Sequence, residues 1–422
     1  MLMLTLYRLL TVLLSPLALW RLHRPARTIA KFRGRWRERQ GIVQVSQNGV
    51  TWIHAASVGE VNAAQGLIRA LQKRHPDQAL LVSTFTVTGA ERLIDLFGDT
   101  VEHRFAPLDN WFSTRRWLHS IKPASMIVVE TEIWPELFIQ AHRNGLRPVL
   151  VNARLTESSL ERMQRFKGVF RPAISTISMA ICQSENDAAR FHELGLTSER
   201  TSVAGNLKFD IPLADDLAVR ARAMRQHWGD RPVWVAGSTR EGEEDIVLQA
   251  HRLLRGRHPE ALLVMAPRHP QRSAEIAALI EQAGLAFQTL GEDIKSETSV
   301  VLIDRLGQLM PCYAAAMATF VGGSLVPVGG HNLLEPASLG KAVIAGPNLQ
   351  QQAESAMALV RAGGLIQVAG ESELAEAVAG LWRDPEYALQ VGRAALGVVE
   401  AGRGSLRRTL KILREMAIEA TG

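Results

Sequence analysis

The chain has 422 residues, of which 47% are hydrophobic and 21% charged, with a formal net charge of +6. That length exceeds one ordinary core and predicts two domains of roughly 150–200 residues, while the apolar content argues against disorder in the bulk of the chain. Two cysteines far apart, Cys182 and Cys312, exclude a disulfide framework and a zinc cluster and point to a reducing compartment.

The positive charge is concentrated at the N-terminus. Residues 1–39 carry nine Lys/Arg against the single acid Glu38, leaving 39 of the 48 basic and 41 of the 42 acidic residues for positions 40–422, a net of −2. A nucleic-acid-binding domain would spread positive charge over a folded face, so that class loses weight. The segment from Met1 to Trp20 is apolar but for Arg8, a few hydroxyls and Pro16. A membrane-crossing helix needs about 20 predominantly apolar residues, which makes this one marginal. The basic run behind it, without a small-x-small site, does not match a cleaved signal peptide. Spanning and interfacial placement both remain open. In either case the run from Arg21 to Arg39 favours the cytoplasmic side and anionic headgroups. A buried core helix with a solvated basic face is the plainer alternative.

From residue 51 short apolar runs alternate with helical periodicity. Strands are predicted at Thr51–Ala56, Ala79–Thr84, Val101–Ala106, Ser125–Glu130, Pro148–Asn152 and Ser178–Cys182. Charge density rises over 207–231, where no strand is evident, and the alternation then restarts. The second set is Val233–Ala236, Ala261–Ala266, Val300–Ile303, Met317–Val321, Lys341–Ile344 and Leu365–Val368. Strand–helix alternation predicts two doubly wound α/β halves facing each other across a cleft, with a helical tail from Gly404 packing back on the first. The expected division is 1–40 (apolar helix and basic segment), 41–210, a linker 211–230, 231–403, and 404–422. Ligands of such sheets bind at the carboxyl ends of the strands.

The candidate residues follow those ends. In His54-Ala55-Ala56-Ser57-Val58-Gly59-Glu60, small residues admit a substrate and Glu60 opens a helix. It reads equally as a helix-start acid or as a general base for a sugar hydroxyl. Glu130-Thr131-Glu132-Ile133-Trp134-Pro135-Glu136 holds an acid-x-acid pair suited to a divalent metal, or a Thr131 N-cap with solvated acids Glu132 and Glu136. Glu130, ending a buried strand, is the better candidate for a place beside the substrate. Lys208, in Gly205-Asn206-Leu207-Lys208-Phe209-Asp210, would neutralise a phosphate or carboxylate, or be an ordinary surface lysine. Gly237-Ser238-Thr239-Arg240-Glu241-Gly242-Glu243-Glu244 offers an anion-binding helix start or a capping box. Arg268 in Pro267-Arg268-His269 suits a phosphate, and the Gly322–Ser338 stretch makes a glycine-rich loop carrying His331 and Glu335.

Taken together, HAASVGE, ETEIWPEL, NARL (Asn152–Leu155), GNLKFD, GSTREGEE, PRHPQR and GGSLVPVGGHNLLEPAS resemble the 3-deoxy-D-manno-octulosonic acid (Kdo) transferases of lipopolysaccharide assembly, in family order and over nearly the whole chain. The resemblance implies the GT-B architecture of two Rossmann-like domains, the first binding acceptor and the second donor. It implies transfer of Kdo from CMP-Kdo to a lipid A precursor at the cytoplasmic side of the inner membrane, with no cofactor and no metal. By position, Glu60 matches the catalytic base, and Glu130 and Lys208 match residues assisting the transition state. Arg268, His269, Leu309, Met310, Pro311, Glu335, Pro336, Ala337 and Ser338 match the CMP-binding positions. Arg240, Gln308 and Leu333 depart from the family's usual His, acid and Pro. The alternatives are another GT-B enzyme with a different nucleotide-sugar, or a membrane-tethered nucleotide-binding protein without turnover.

Overall fold

The structure is a computed structural model that describes residues 2–291 and 294–416. It divides into two compact units: residues up to Asp210 together with those from Gly402 onward, and Ile211–Ala401. In the first unit seven strands form one sheet: β1 (Thr51–His54), β2 (Leu80–Thr84), β3 (Glu102–Phe105), β4 (Ser125–Val129), β5 (Val149–Ala153), β6 (Met179–Cys182) and β7 (Thr201–Val203), in the order β3-β2-β1-β4-β5-β6-β7. The second unit repeats the plan with β8 (Val233–Thr239), β9 (Leu262–Pro267), β10 (Phe287–Thr289), β11 (Val300–Leu302), β12 (Ala318–Val321), β13 (Val343–Ala345) and β14 (Leu365–Gln367), ordered β10-β11-β9-β8-β12-β13-β14.

Every pairing is parallel. Sheets of this kind are covered on both faces, and β1, β2, β4 and β5 are accordingly buried along their whole length. All twelve predicted strands are present. The two that were not predicted, β7 and β10, are three-residue edge strands of intermediate burial, without the continuous apolar run of a central strand.

The order of strands reverses at β1, which pairs with β2 on one side and β4 on the other, and at β8, which lies between β9 and β12. At such reversals the connections leave in opposite directions and open a crevice at the carboxyl ends. The loop after β1 leads into the helix Val58–Arg74, whose Val61, Ala64, Leu67, Ile68 and Leu71 face the core while Lys73 and Arg74 complement its C-terminal dipole.

One stretch differs from the sequence reading. The stretch 211–230 is not a bare linker: it contains the helix Leu217–Trp228, which buries Trp228 within the second unit. At the C-terminus the helix Ser405–Glu415 places Leu410 and Leu413 in the core of the first unit. The Asp210 carboxylate accepts the backbone N–H of Gly404 (2.8 Å) and of Leu406 (2.6 Å), holding that helix at its first turn. The predicted helical tail beyond residue 416 lies outside the described residues.

The N-terminal apolar segment is two helices, α1 (Leu2–Leu13) and α2 (Ser15–Thr28), the pair bent by 51°. Among the described residues no single helix is long and apolar enough to cross a membrane, though this bent pair passes by length and composition. The polarity of α1 is inverted relative to an ordinary surface helix. Leu4, Tyr7, Arg8 and Thr11, together with Ser15 just beyond, turn toward the protein. Leu2 (84% exposed), Leu6, Leu9, Leu13 (74% exposed) and Leu17 turn away from it.

The inward polar groups are all engaged. Tyr7 donates to Asp109 Oδ2 (2.5 Å), the Arg8 guanidinium meets the buried Glu136 carboxylate at 2.7 Å, and Asn110 Nδ2 donates to Ser15 Oγ (3.0 Å). Asp109 also accepts the N–H groups of Glu136 and Leu137 at the start of the helix Pro135–Arg143, and burial pushes its carboxyl up to about 6. The basic run is also less uniform than its sequence implies. Arg39 is buried, its guanidinium 4.5 Å from the centre of the Phe105 ring, and Arg35 pairs with Glu38 at 2.7 Å. Arg21, Arg24, Lys31, Arg33 and Arg37 are exposed.

Removing Arg8 leaves the Glu136 carboxylate buried without its ion-pair partner. Arg8→Ala is therefore expected to destabilise the docked α1 by about 1–3 kcal/mol, discounted for the partial exposure of Arg8. Hydrogen exchange would read this as faster exchange of the α1 amides with the β-sheet amides unchanged.

Candidate active site and nucleotide-suited loops

In the first unit the reversal at β1 and β4 brings four charged side chains together. Glu60 lies in the first turn of the Val58–Arg74 helix, where its carboxylate accepts the Ser57 backbone N–H in a capping box. The helix-start reading of Glu60 is thus correct as local structure. Only 7% of the residue is exposed, however, and the pKa reflects more than capping. Burial raises the carboxyl first, and the neighbouring carboxylates Glu132 and Glu130 raise it further, to about 7.

Glu130 follows β4 directly and adopts a left-handed conformation, φ 60°. This is an uncommon backbone state for a residue with a side chain, and such residues cluster at functional sites. Its carboxylate stands 2.9 Å from Lys208 Nζ. Lys208 rides on a 3-10 turn, Leu207–Phe209, held by two asparagines. Asn206 Oδ1 accepts the Lys208 N–H at 3.0 Å, and Asn152 Oδ1 accepts the Leu207 N–H at 2.8 Å. Asn152, near the end of β5, is itself left-handed with φ 53°. The Asn-Ala-Arg-Leu and Gly-Asn-Leu-Lys-Phe-Asp motifs, 50 residues apart in the chain, therefore meet through one hydrogen bond.

The acid-x-acid pair divides between two partners. Glu130 faces Lys208, whereas Glu132 accepts Trp134 Nε1 at 2.7 Å. Among the described residues no three His, Cys, Asp or Glu side chains are grouped to hold a metal ion. Thr131 is not an N-cap: its hydroxyl donates to the Arg154 carbonyl, and the following helix begins at Pro135 with Trp134 in the cap position. Glu136 is not a solvated acid but is fully buried beneath Arg8. His54, also fully buried, contacts Ser83 Oγ through Nδ1 at 2.9 Å and packs edge-on against Trp134 with centroids 4.8 Å apart. Burial holds this imidazole down to about 4, so it stays neutral at physiological pH.

In the second unit the reversal at β8 and β12 brings the loops after those strands together. Gly237, Ser238 and Thr239 end β8 and do not open a helix; Ser238 is left-handed, φ 58°. The helix starts later, at Glu244, so the predicted capping box does not form. Glu243 is fully buried and accepts the N–H groups of Gly323 (2.7 Å), Ser324 (3.0 Å), Leu325 (2.9 Å) and Arg240 (3.3 Å). One carboxylate thus fixes the glycine-rich loop after β12 to the loop after β8. The loop needs its glycines: Gly323 has φ +68°, and a Cβ there would come within 2.9 Å of the His331 ring.

Arg268 follows β9 and anchors its own N–H on the Thr239 carbonyl at 3.0 Å. Its side chain makes no ion pair among the described residues. Arg240 contacts the His269 ring, and Arg272 is held by Glu244 at 3.0 Å and Glu275 at 2.7 Å. The pKa of Arg240 is lowered, by burial first and then by Arg268 and Arg272, so three guanidinium groups share one region and an anion there would relieve their repulsion. Leu309, Met310 and Pro311 open the helix Leu309–Ala315, and Glu335, Pro336 and Ala337 lie in the helical turn Leu334–Ala337. Ser338 closes that turn through its hydroxyl on the Glu335 carbonyl (2.7 Å). Tyr313 is raised by burial and by both Glu335 and Glu243, which places these groups around one point. Of the departures from the family pattern, Arg240 meets His269, Gln308 accepts from Arg220 at 2.9 Å, and Leu333 is core.

The first-unit set (Glu60, Glu130, Lys208) is thus gathered within one unit, and the second-unit set within the other. Sequence reasoning did not single out Glu243, Asn152, His54 or Trp134 for the roles found here. Asn152 and His54 were within quoted motifs; the role of Glu243 depends on a contact with a loop 80 residues away and leaves no local signal.

Residues 34–211 match the family described as 3-Deoxy-D-manno-octulosonic-acid transferase (kdotransferase). A 3-deoxy-D-manno-octulosonic acid transferase of Haemophilus influenzae is 38% identical over 367 residues, 86% of each chain. One of Bordetella pertussis is 33% identical, again over 86% of each. Among solved structures, a putative UDP-N-acetylglucosamine 2-epimerase from Listeria monocytogenes aligns with a TM-score of 0.52 at 13% identity, over 89% of this chain and 98% of that one, a likeness of fold alone. The fold is of the GT-B type, built from two Rossmann-like units, and the chain belongs to the 3-deoxy-D-manno-octulosonic acid transferase family.

Proposed function

We propose that this glycosyltransferase moves Kdo from CMP-Kdo to a lipid A precursor, with Glu60 as the general base. The observation that carries the reading is the Glu60 carboxyl, buried at the carboxyl end of β1 beside two other carboxylates and raised to about 7. A base tuned near the working pH is both ionised often enough and basic enough to take a hydroxyl proton. The acceptor oxygen bonds to the anomeric carbon of Kdo, the bond from that carbon to the CMP phosphate breaks with its electron pair leaving on CMP, and Glu60 receives the proton.

Lys208, held by Glu130 and by the Asn152 and Asn206 contacts, supplies a fixed positive charge for the negative charge of the donor or of the transition state. In the second unit Arg268, with Arg240 and His269 beside it, suits the phosphate, and the loop fixed by Glu243 together with Glu335–Ser338 suits the nucleoside. The reaction in this reading uses neither a cofactor nor a metal.

The apolar outer face of α1 supports placement at a lipid surface. Together with exposed Arg21, Arg24, Lys31, Arg33 and Arg37 it suits the interface of an anionic bilayer, and the reading places the protein on the cytoplasmic face of the inner membrane. The bend between α1 and α2 and the polar docking of α1 favour a helix lying in that interface.

Glu60→Gln keeps an acceptor for the Ser57 N–H but removes the base. Transfer is expected to fall by about 10²–10⁴-fold in kcat with CMP affinity unchanged, measured by product mass spectrometry and by nucleotide titration. A folded variant that transfers at the wild-type rate refutes the assignment. Because the base must be deprotonated, the wild-type rate should fall as pH drops through about 7. Glu132→Gln removes a negative neighbour and lowers the Glu60 pKa, so the acid limb of the rate profile should move to lower pH.

A further inference from the structure

The first unit contains a cavity of about 420 Å³ beside the Glu60 site, within the size range of small-ligand pockets. Six segments supply its walls: Tyr7 from α1, Phe85 after β2, Asp109 after β3, Ile133 and Trp134 after β4, Arg162 and Met163 from the helix Glu157–Arg165, and Phe170 from the helix Lys167–Ile174. Phe85 and Trp134 meet edge to face at 5.0 Å. The lining is therefore largely ring faces and alkyl groups.

Most polar groups in the lining are committed to protein partners, whereas the exposed Arg162 side chain makes no hydrogen bond or ion pair among the described residues. The Tyr7 hydroxyl donates to Asp109, and the Asp109 carboxylate also takes two N–H groups of the Pro135–Arg143 helix. The Thr131 hydroxyl donates to the Arg154 carbonyl, and Trp134 Nε1 to Glu132. A polar guest would find these donors and acceptors occupied, whereas an apolar guest loses nothing by entering. Two further facts define the guest. Glu132 and Trp134, in the lining, belong to the loop after β4 that also carries Glu130, so the cavity shares a wall with the Glu130–Lys208 part of the site. Tyr7 belongs to the helix whose opposite face exposes Leu2, Leu6, Leu9 and Leu13, so one wall of the cavity is the inner side of the apolar α1.

We propose that this cavity takes one hydrocarbon chain of the lipid acceptor, drawn in alongside α1, so that the chain's seat helps set the acceptor hydroxyl against Glu60. The inference rests on the transferase reading above for the identity of the acceptor. It adds a specificity-determining subsite, with Phe170 and Met163 in its wall. Binding here would make the transferase prefer an acylated acceptor over the same sugar without chains.

The test uses the full chain with Phe170→Trp, which narrows the cavity, and Phe170→Leu, which keeps it open. Two acceptors are compared, the acylated lipid A precursor and the same phosphorylated disaccharide with its chains removed, and a fluorescent fatty acid serves as a direct binding probe. The narrowing variant should raise KM for the acylated acceptor by about tenfold or more, as filling an apolar pocket does. KM for the chain-free acceptor and CMP affinity should be unchanged, and Phe170→Leu, which leaves the cavity open, should raise KM for the acylated acceptor less than Phe170→Trp does. The fatty acid should bind the wild type saturably and lose that binding in Phe170→Trp. If the probe behaves in this way but no lipid receives Kdo, the cavity assignment stands and the transferase reading fails. If Phe170→Trp changes neither acceptor, changes both equally, or leaves probe binding intact while Leu9→Ser abolishes it, the proposal is overturned.

Discussion

Parallel pairing is the constraint on which the rest of this protein depends. Because every strand of both sheets runs the same way, every strand ends on the same edge, and each loop after a strand emerges there. The reversals at β1 and β8 spread those loops apart at one place in each sheet. Glu60, Glu130 and Lys208 meet at or beside the first reversal, and the Ser238–Glu243 and Gly322–His331 segments meet at the second. Among the described residues, the non-glycine residues with positive φ outside helix ends are Glu130, Asn152 and Ser238, all at carboxyl ends of strands. Left-handed backbone is thus concentrated at the candidate sites, held there by the surrounding sheet.

Buried carboxylates perform different tasks according to what faces them. Glu243 meets four backbone N–H groups and becomes a structural pin for a loop. Glu136 meets Arg8 and anchors the N-terminal helix. Glu130 meets Lys208 and orients a cation. Glu60 meets one backbone N–H and two carboxylates, and burial together with those carboxylates raises its carboxyl to about 7.

The N-terminal helix docks beside the site. Tyr7, Arg8 and Thr11 turn inward while Leu2, Leu6, Leu9 and Leu13 turn outward, the reverse of a soluble amphipathic helix. Tyr7 and Arg8 tie it to Asp109 and Glu136, at and just before the start of the helix that follows the Glu130–Trp134 loop.

The sequence by itself determined the strand–helix alternation, twelve of the fourteen strands, and the placement of candidate residues after strands, because fully buried parallel strands are continuous apolar runs. It also located the basic N-terminus and, through the ordered set of motifs, the family. Tertiary structure alone decided which partners those residues meet. Glu60 reads as a helix-start acid or a base until the approach of Glu132 and Glu130 is known, and an i,i+3 cap is visible in sequence where a through-space charge is not. Glu136 looks solvated until Arg8 arrives from 128 positions away, and Glu243 gives no local signal until a loop 80 residues later supplies three of its N–H groups. Short edge strands, left-handed residues and buried ion pairs depend on contacts between distant segments, and no local pattern encodes them.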